Sequence, residues 1–232
     1  MQGMIGRSTL NGINAIKEVR KRFHQQGKHH LVDGYLGALI DCFSTENSFF
    51  TAVEVTAGAR LFNHVVTTSS VGNAYLEEMN RMKLQGEVTF LPLDRLQARR
   101  ETYPRAADAL PLIDKIEFEE RFEIVMLYVF GKTLICRNIE VATRFARQHN
   151  YDCITLDGDQ VSRRGALTGG YIDTTRSRLE LHHAKQRLKN EIEAQGTERR
   201  VIYIMKYWRT FWIRYNCRTI CNHTCERTCL HI

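Results

Sequence analysis

Apolar positions first recur at helical spacing over residues 9–23, where Leu10, Ile13, Ile16, Val19 and Phe23 share one face. Lys17, Arg20, Lys21 and Arg22 fall largely off that face, and Gly27 suits the helix terminus. Residues 36–43 read as a buried strand. The short apolar run 49–57 fits a helix or a strand equally well, and Gly58 breaks it. Residues 60–66 read as extended. Residues 69–84 read as a helix with Val71, Tyr75, Met79 and Met82 on one side, ended by Gly86 before a strand over 87–91. All three prolines, Pro92, Pro104 and Pro111, fall within 92–117, which reads as an irregular connection between two subdomains.

The pattern then sharpens. A strand over 133–136, a helix over 139–149 capped by Asn138, and a strand over 153–156 make a β-α-β unit, right-handed if its strands are parallel. Glu140 lies in the helix's first turn, with Arg144, Arg147 and His149 later, a distribution that complements the helix dipole. Beyond residue 174, Leu181, Ala184 or Lys185, Leu188, Ile192 and Gln195 follow a 3-4 spacing among Arg, Lys and Glu, as at the start of a coiled coil.

The 232 residues suffice for one large domain or two small ones, and 43% hydrophobic with 25% charged residues is ordinary for a globular chain. No run reaches the roughly 18 to 20 apolar residues that span a bilayer, and no basic segment followed by an apolar run marks a secretory signal. The net charge of +7 is concentrated. Residues 197–232 hold seven Lys or Arg against Glu198 and Glu226, so the other 196 residues carry only +2, weak grounds for DNA binding. Cys42, Cys136 and Cys153 lie in apolar surroundings and read as reduced core thiols.

Several constellations imitate chemistry. Gly131-Lys132-Thr133 resembles the end of a phosphate-binding loop, but Met126 stands where that loop needs glycine, and a strand entry is the better reading. Asp157 and Asp159 around Gly158 make a polar turn without companion ligands. Cys217, Cys221, Cys225 and Cys229, with His223 and His231 between them, could hold zinc, but their uniform spacing differs from paired zinc ligands and no metal is expected. Gly165, Gly169 and Gly170 around Ala166, Leu167 and Thr168 allow close backbone approach, suiting either an edge strand that meets a partner or a simple turn.

The block 129–171, VFGKTLICRNIEVATRFARQHNYDCITLDGDQVSRRGALTGGY, strongly resembles the C-terminal half of the hinge domain of Smc proteins, and CITLDGDQVS with RGALTGGY points to the third type of cohesin Smc subunit. VDGYLGALIDCF at 32–43, AVEVTAGARLF at 52–62 and GEVTFLPL at 86–93 resemble the N-terminal half, so the likeness runs in order from about 10 to 181.

The resemblance implies a mixed α/β fold of two related subdomains flanked by coiled-coil stubs. On this reading residues 1–28 end the ascending coil, 29–173 form the hinge (29–95, a connection over 92–117, then 118–173), and 174–196 begin the descending coil. Residues 197–232 are a basic, Cys-rich tail unlike long Smc coils, for which a truncated or misread C-terminus is the economical explanation.

The implied function is dimerisation with the hinge of the first-type cohesin Smc subunit, supporting ring closure, sister chromatid cohesion and chromosome organisation in the nucleus. The chain is expected to be a binding module without catalysis, cofactor or small-molecule substrate; ATP and Mg would belong to head domains outside it. Gly165, Ala166, Leu167, Thr168, Gly169 and Gly170 become the first choice for partner contact. Lys17, Arg20, Lys21, Arg22, Lys28, Arg163 and Arg164 are the candidate DNA contacts, the alternative main activity, although a solvated helix face explains most of them. A metal- or nucleotide-dependent enzyme is the third and weakest reading.

Overall fold

The computed structural model describes residues 6–195. The chain divides into one compact unit through His182 and another from His183. In the second, residues 183–195 are helical, with Leu188 and Ile192 exposed and an ion pair between Lys189 and Glu193 at 3.8 Å.

The first unit opens with α1 (Arg7–Gln25), on which Ile16, Val19 and Phe23 are buried as the periodicity predicts, together with Ala15, while Leu10 and Ile13 are half-buried. α2 (His29–Asp33) leads into two halves built on one plan. The first half runs β1 (Tyr35–Ala38), a 3-10 turn over Leu39–Asp41, β2 (Phe43–Thr45), a 3-10 turn over Asn47–Phe49, α3 (Phe50–Ala57), β3 (His64–Val66), α4 (Ser69–Arg81) and β4 (Phe90–Pro92). The second repeats the order with β5 (Ala109–Pro111), a 3-10 turn over Leu112–Lys115, β6 (Ile116–Phe118), a 3-10 turn over Glu120–Phe122, α5 (Glu123–Phe130), β7 (Thr133–Cys136), α6 (Ile139–His149) and β8 (Asp152–Thr155). It then adds β9 (Gln160–Val161) and β10 (Leu167–Thr168).

Pairing repeats too. β1 lies antiparallel to β3 and β3 parallel to β4, as β5 lies antiparallel to β7 and β7 parallel to β8. β2 and β6 bridge the halves as an antiparallel pair, with Phe43 opposite Phe118. One apolar core joins both halves, placing Leu39, Ile40 and Val53 with Leu112, Ile113 and Met126. A second packs α1 on α4 around Tyr75, and a third sits under α6.

The structure corrects several expectations. Residues 36–43 are not one strand, because the Ala38 amide bonds to Asp41 Oδ2 at 3.1 Å and curls the chain into a 3-10 turn. Residues 58–62 are likewise 3-10, and 50–57 are helix. The helix expected over 69–84 stops at Arg81, since Lys83 adopts φ +54 and the amides of Lys83 and Leu84 close back on the Asn80 and Met79 carbonyls. Gly86 serves another purpose: a Cβ there would strike the Gly12 backbone, so two glycines let this segment cross α1 in contact. Residues 109–117, within the stretch expected to be irregular, supply β5 and most of β6.

Candidate functional site

β10 ends the larger sheet, whose order is β10-β9-β8-β7-β5, and among the described residues it pairs on one side only. The turn before it is fixed by local bonds. Gly165 donates to the Ser162 carbonyl and Ser162 to the Ala166 carbonyl, both at 2.8 Å, while the Arg163 amide donates to Asp152 Oδ1 at 2.9 Å. Gly165 holds φ +92, a conformation that a Cβ would strain.

The six residues proposed from the sequence therefore lie together, from the turn through the edge strand. Ala166, Leu167 and Thr168 are all exposed, and Leu167 keeps 65% of its surface. Tyr171, just beyond, is 96% exposed. The glycines differ in role: a Cβ on Gly169 would strike the Asp159 carboxylate, so that position is set by packing within the chain, whereas Gly170, at φ +148, has open space around it. An exposed, one-sided edge carrying apolar side chains is what another strand can complete.

The residues proposed for DNA contact do not share one element. Lys17, Arg20, Lys21 and Arg22 lie on α1 and Lys28 just beyond it, whereas Arg163 and Arg164 lie in the β9–β10 turn. Three of the first group are engaged internally: Arg22 Nε lies 2.8 Å from Glu78 Oε1, Arg20 sits 5.6 Å from the Tyr35 ring centre, and Lys28 5.4 Å from that of Phe23. Among the described residues no group of three or more His, Cys, Asp and Glu side chains is suited to a metal ion, and no helix is long and apolar enough to cross a membrane. Cys217, Cys221, Cys225 and Cys229 lie outside the described residues. Cys42, Cys136 and Cys153 are buried and free, and burial pushes the Cys42 thiol up to about 12.

Sequence reasoning missed a second feature, the junction where the chain leaves the hinge. Glu54, buried in α3, accepts bonds at Oε1 from the Ser177 hydroxyl (2.6 Å) and the Leu179 amide (2.8 Å), while Arg178 Nε reaches Oε2 at 3.2 Å. Arg178 also donates to the carbonyls of Glu54 and Gly58, at 3.1 and 3.2 Å. Ser177 Oγ accepts from the Glu180 amide at 3.0 Å, capping the helix that starts at residue 178, and Leu179 is fully buried in the shared core. His182 lies 3.5 Å from Asp41. The available signal was one carboxylate in the otherwise uncharged run FTAVEVTA.

The family model for the SMC proteins Flexible Hinge Domain matches residues 32–146. A Cryptococcus neoformans protein named urease accessory protein 2 is 39% identical over 193 residues, covering 83% of this chain and 15% of that protein. The structural maintenance of chromosomes protein 3 of Arabidopsis thaliana is 43% identical over 168 residues, 72% of this chain and 13% of that protein. The chain thus spans about a seventh of the length of the curated relatives it matches.

Among solved structures, the folded elbow of cohesin superposes with a TM-score of 0.72 and 31% identity, covering 95% of this chain and 32% of that one. The Pyrococcus furiosus SMC hinge domain gives 0.54 and 26%, over 75% of this chain and all of that one. An asymmetric dimer of the Geobacillus stearothermophilus SMC hinge domain shares the fold at TM-score 0.58 and 19% identity, over 80% and 83% of the two chains. The duplicated β-α-β halves, the matched segment and these relatives together place the chain in the SMC hinge family, alongside SMC proteins of the third type.

Proposed function

We propose that this domain joins its chain to the hinge of another SMC protein, by strand addition at β10, and that the partner is the first-type subunit of cohesin. The observation that carries the reading is the exposed edge from Gly165 to Gly170, with Leu167 65% exposed on a strand paired on one side only. The dimeric bacterial hinge and the cohesin structure with the same fold support it. In this role the domain is a binding module that needs no cofactor of its own. It helps close a ring around DNA, supporting sister chromatid cohesion and chromosome organisation in the nucleus. A reading in which DNA binding is the main activity is not favoured, since Arg20, Arg22 and Lys28 are engaged within the chain.

Mixing the chain with a first-type cohesin hinge and measuring mass by light scattering should give a one-to-one complex. Leu167→Arg should weaken association by about tenfold or more, as expected for an apolar anchor removed from an interface centre. Gly169 is a poor probe because its substitution disturbs Asp159 first. If the two hinges stay separate at micromolar concentration, the partner assignment fails; if Leu167→Arg binds as well as the parent, the edge assignment fails.

A further inference from the structure

A cleft of about 920 Å³ opens beside α5 and the start of β7. A smaller cavity of about 230 Å³ lies against β7 through β10, and Arg60, Thr133 and Asp152 belong to the walls of both. The larger is lined by none of the edge residues 165–170, whereas Ala166 and Thr168 help to line the smaller.

Four cations converge on the larger cleft from four separate segments. Arg60 comes from the turn after α3, Arg99 from the loop after β4, Lys132 from the entry to β7, and Arg163 from the β9–β10 turn. Only two carboxylates, Glu101 and Asp152, share the walls. Glu101 lies 3.7 Å from Lys132, and Asp152 already accepts the Arg163 amide. The guanidinium groups of Arg99 and Arg163 have no hydrogen-bond or ion-pair partner among the described residues. Arg60 is aimed by its bonds to the carbonyls of Ala57 (3.2 Å) and Thr56 (2.5 Å) and retains further N–H donors. In the smaller cavity the Thr56 hydroxyl is unpartnered although the residue is only 9% exposed. A buried hydroxyl of this kind normally finds a partner.

A concave site with surplus oriented donors suits an anion carrying several charges. Its volume falls in the range of small-molecule pockets, about 300–1,000 Å³, and the cations face one cavity instead of tracking along a surface as a nucleic-acid backbone requires. We propose that this cleft binds a small polyanion of the di- or triphosphate class, held by Arg60, Lys132 and Arg163 with Arg99 at the rim. The tripeptide Gly131-Lys132-Thr133 thus contributes a phosphate-facing lysine without forming a phosphate-binding loop, since Thr133 starts a strand and no helix. The site is independent of the partner reading and is tested on the chain alone.

Inorganic tripolyphosphate titrated calorimetrically into the 232-residue chain should show saturable one-to-one binding that persists at physiological salt. The double variant Lys132→Gln/Arg163→Gln should lose about tenfold or more in affinity, as expected for two charge-assisted contacts, with its thermal unfolding midpoint unchanged. Lys17→Gln/Lys21→Gln, which neutralises two exposed cations on α1, should bind like the parent. The proposal is overturned if the parent shows no saturable binding, if both double variants weaken equally, or if a short DNA duplex displaces tripolyphosphate at lower concentration than tripolyphosphate displaces the duplex. Should Lys132→Gln/Arg163→Gln unfold, the single variants Lys132→Gln and Arg163→Gln carry the same comparison, and full affinity in both refutes the site.

Discussion

The two halves of the hinge follow one plan with different side chains at matching places. Strand register aligns Ala38 with Pro111, His64 with Leu134, and Phe90 with Cys153. The two short apolar helices align α3 with α5 residue for residue, putting the Glu54 carboxylate where the second half has Leu127. Thr68 and Asn138 cap the following helices, each accepting the amide of a valine. The first half thus buries a carboxylate and an imidazole where its twin buries two leucines, and it receives both α1 and the outgoing segment 177–182. The second half instead extends its sheet by β9 and β10 and ends in an exposed edge. The duplication has been specialised: one half anchors its own chain, and the other ends in the exposed edge proposed to meet a partner.

The hardest test of that division is to erase the carboxylate. Glu54→Leu copies the second half, leaves Ser177 and the Leu179 amide without their acceptor, and takes from Arg178 its carboxylate partner while its bonds to the carbonyls of residues 54 and 58 remain. Breaking one side of a buried ion pair costs about 4 kcal/mol, and urea unfolding should show a loss of that order. Hydrogen exchange should rise over 177–182 while β7 and β8 keep their protection. Pairing Glu54→Leu with Arg178→Met should recover much of the loss, because a pair replaced by apolar groups no longer strands a charge. A single variant as stable as the parent would show that burial of Leu179 alone docks the segment.

The imidazole gives a smaller, pH-dependent contrast. His64 is 2% exposed, and burial lowers its pKa from 6.5 to about 4, a shift that nearby Asp41 only partly opposes. Its Nδ1 lies 2.9 Å from the Tyr35 hydroxyl. The unfolded chain therefore takes up this proton at a higher pH than the folded one does. Stability is fully present above about 6.5 and falls as the pH drops towards 4, by up to about 3 kcal/mol at about 1.4 kcal/mol per unit. His64→Leu, copying Leu134, should flatten that part of the profile relative to the parent, the difference being read because carboxylates titrate in the same range. Identical profiles for parent and variant would mean that the buried imidazole is not the group responsible.

How much of this was legible in the sequence follows from length and periodicity. α1, α6 and the parallel β7–β8 pair were readable because each is long enough to show its period or is bounded by a cap and an apolar run. The three-residue strands β2, β5 and β6 show no period, and all three flank 3-10 turns that propensity does not distinguish from strand. The duplication had a signal that went unused: Leu-Ile-Asp at 39–41 recurs at 112–114, opening the same 3-10 turn in each half. At the candidate edge, the glycines marked where the backbone bends, but which side of β10 lacks a partner depends on pairing with β9 and β8. Glu54 was visible as an isolated charge. Its partners lie more than a hundred positions away, and no local pattern names them.

The finest distinction lies in the paired caps. Asn138 Oδ1 accepts the Val141 amide at 2.9 Å, whereas the Thr68 hydroxyl reaches the Val71 amide at 3.4 Å, beyond the usual optimum. Thr68 also has help that Asn138 lacks, because Asp94 takes both the amide (2.8 Å) and the hydroxyl (3.1 Å) of Ser69 at the same helix start. Asn138→Ala should therefore cost about 1 kcal/mol and Thr68→Ala roughly half of that. In a Thr68→Ala background, Asp94→Ala should cost more than it does alone, since two acceptors serve one helix end. Measured by chemical denaturation, equal losses for the two single cap variants would mean that these bond lengths do not set the strength of the caps. Additive losses for Thr68→Ala and Asp94→Ala would mean that the two groups satisfy different amides independently, and that the first half holds its helix by parallel contacts where the second relies on one.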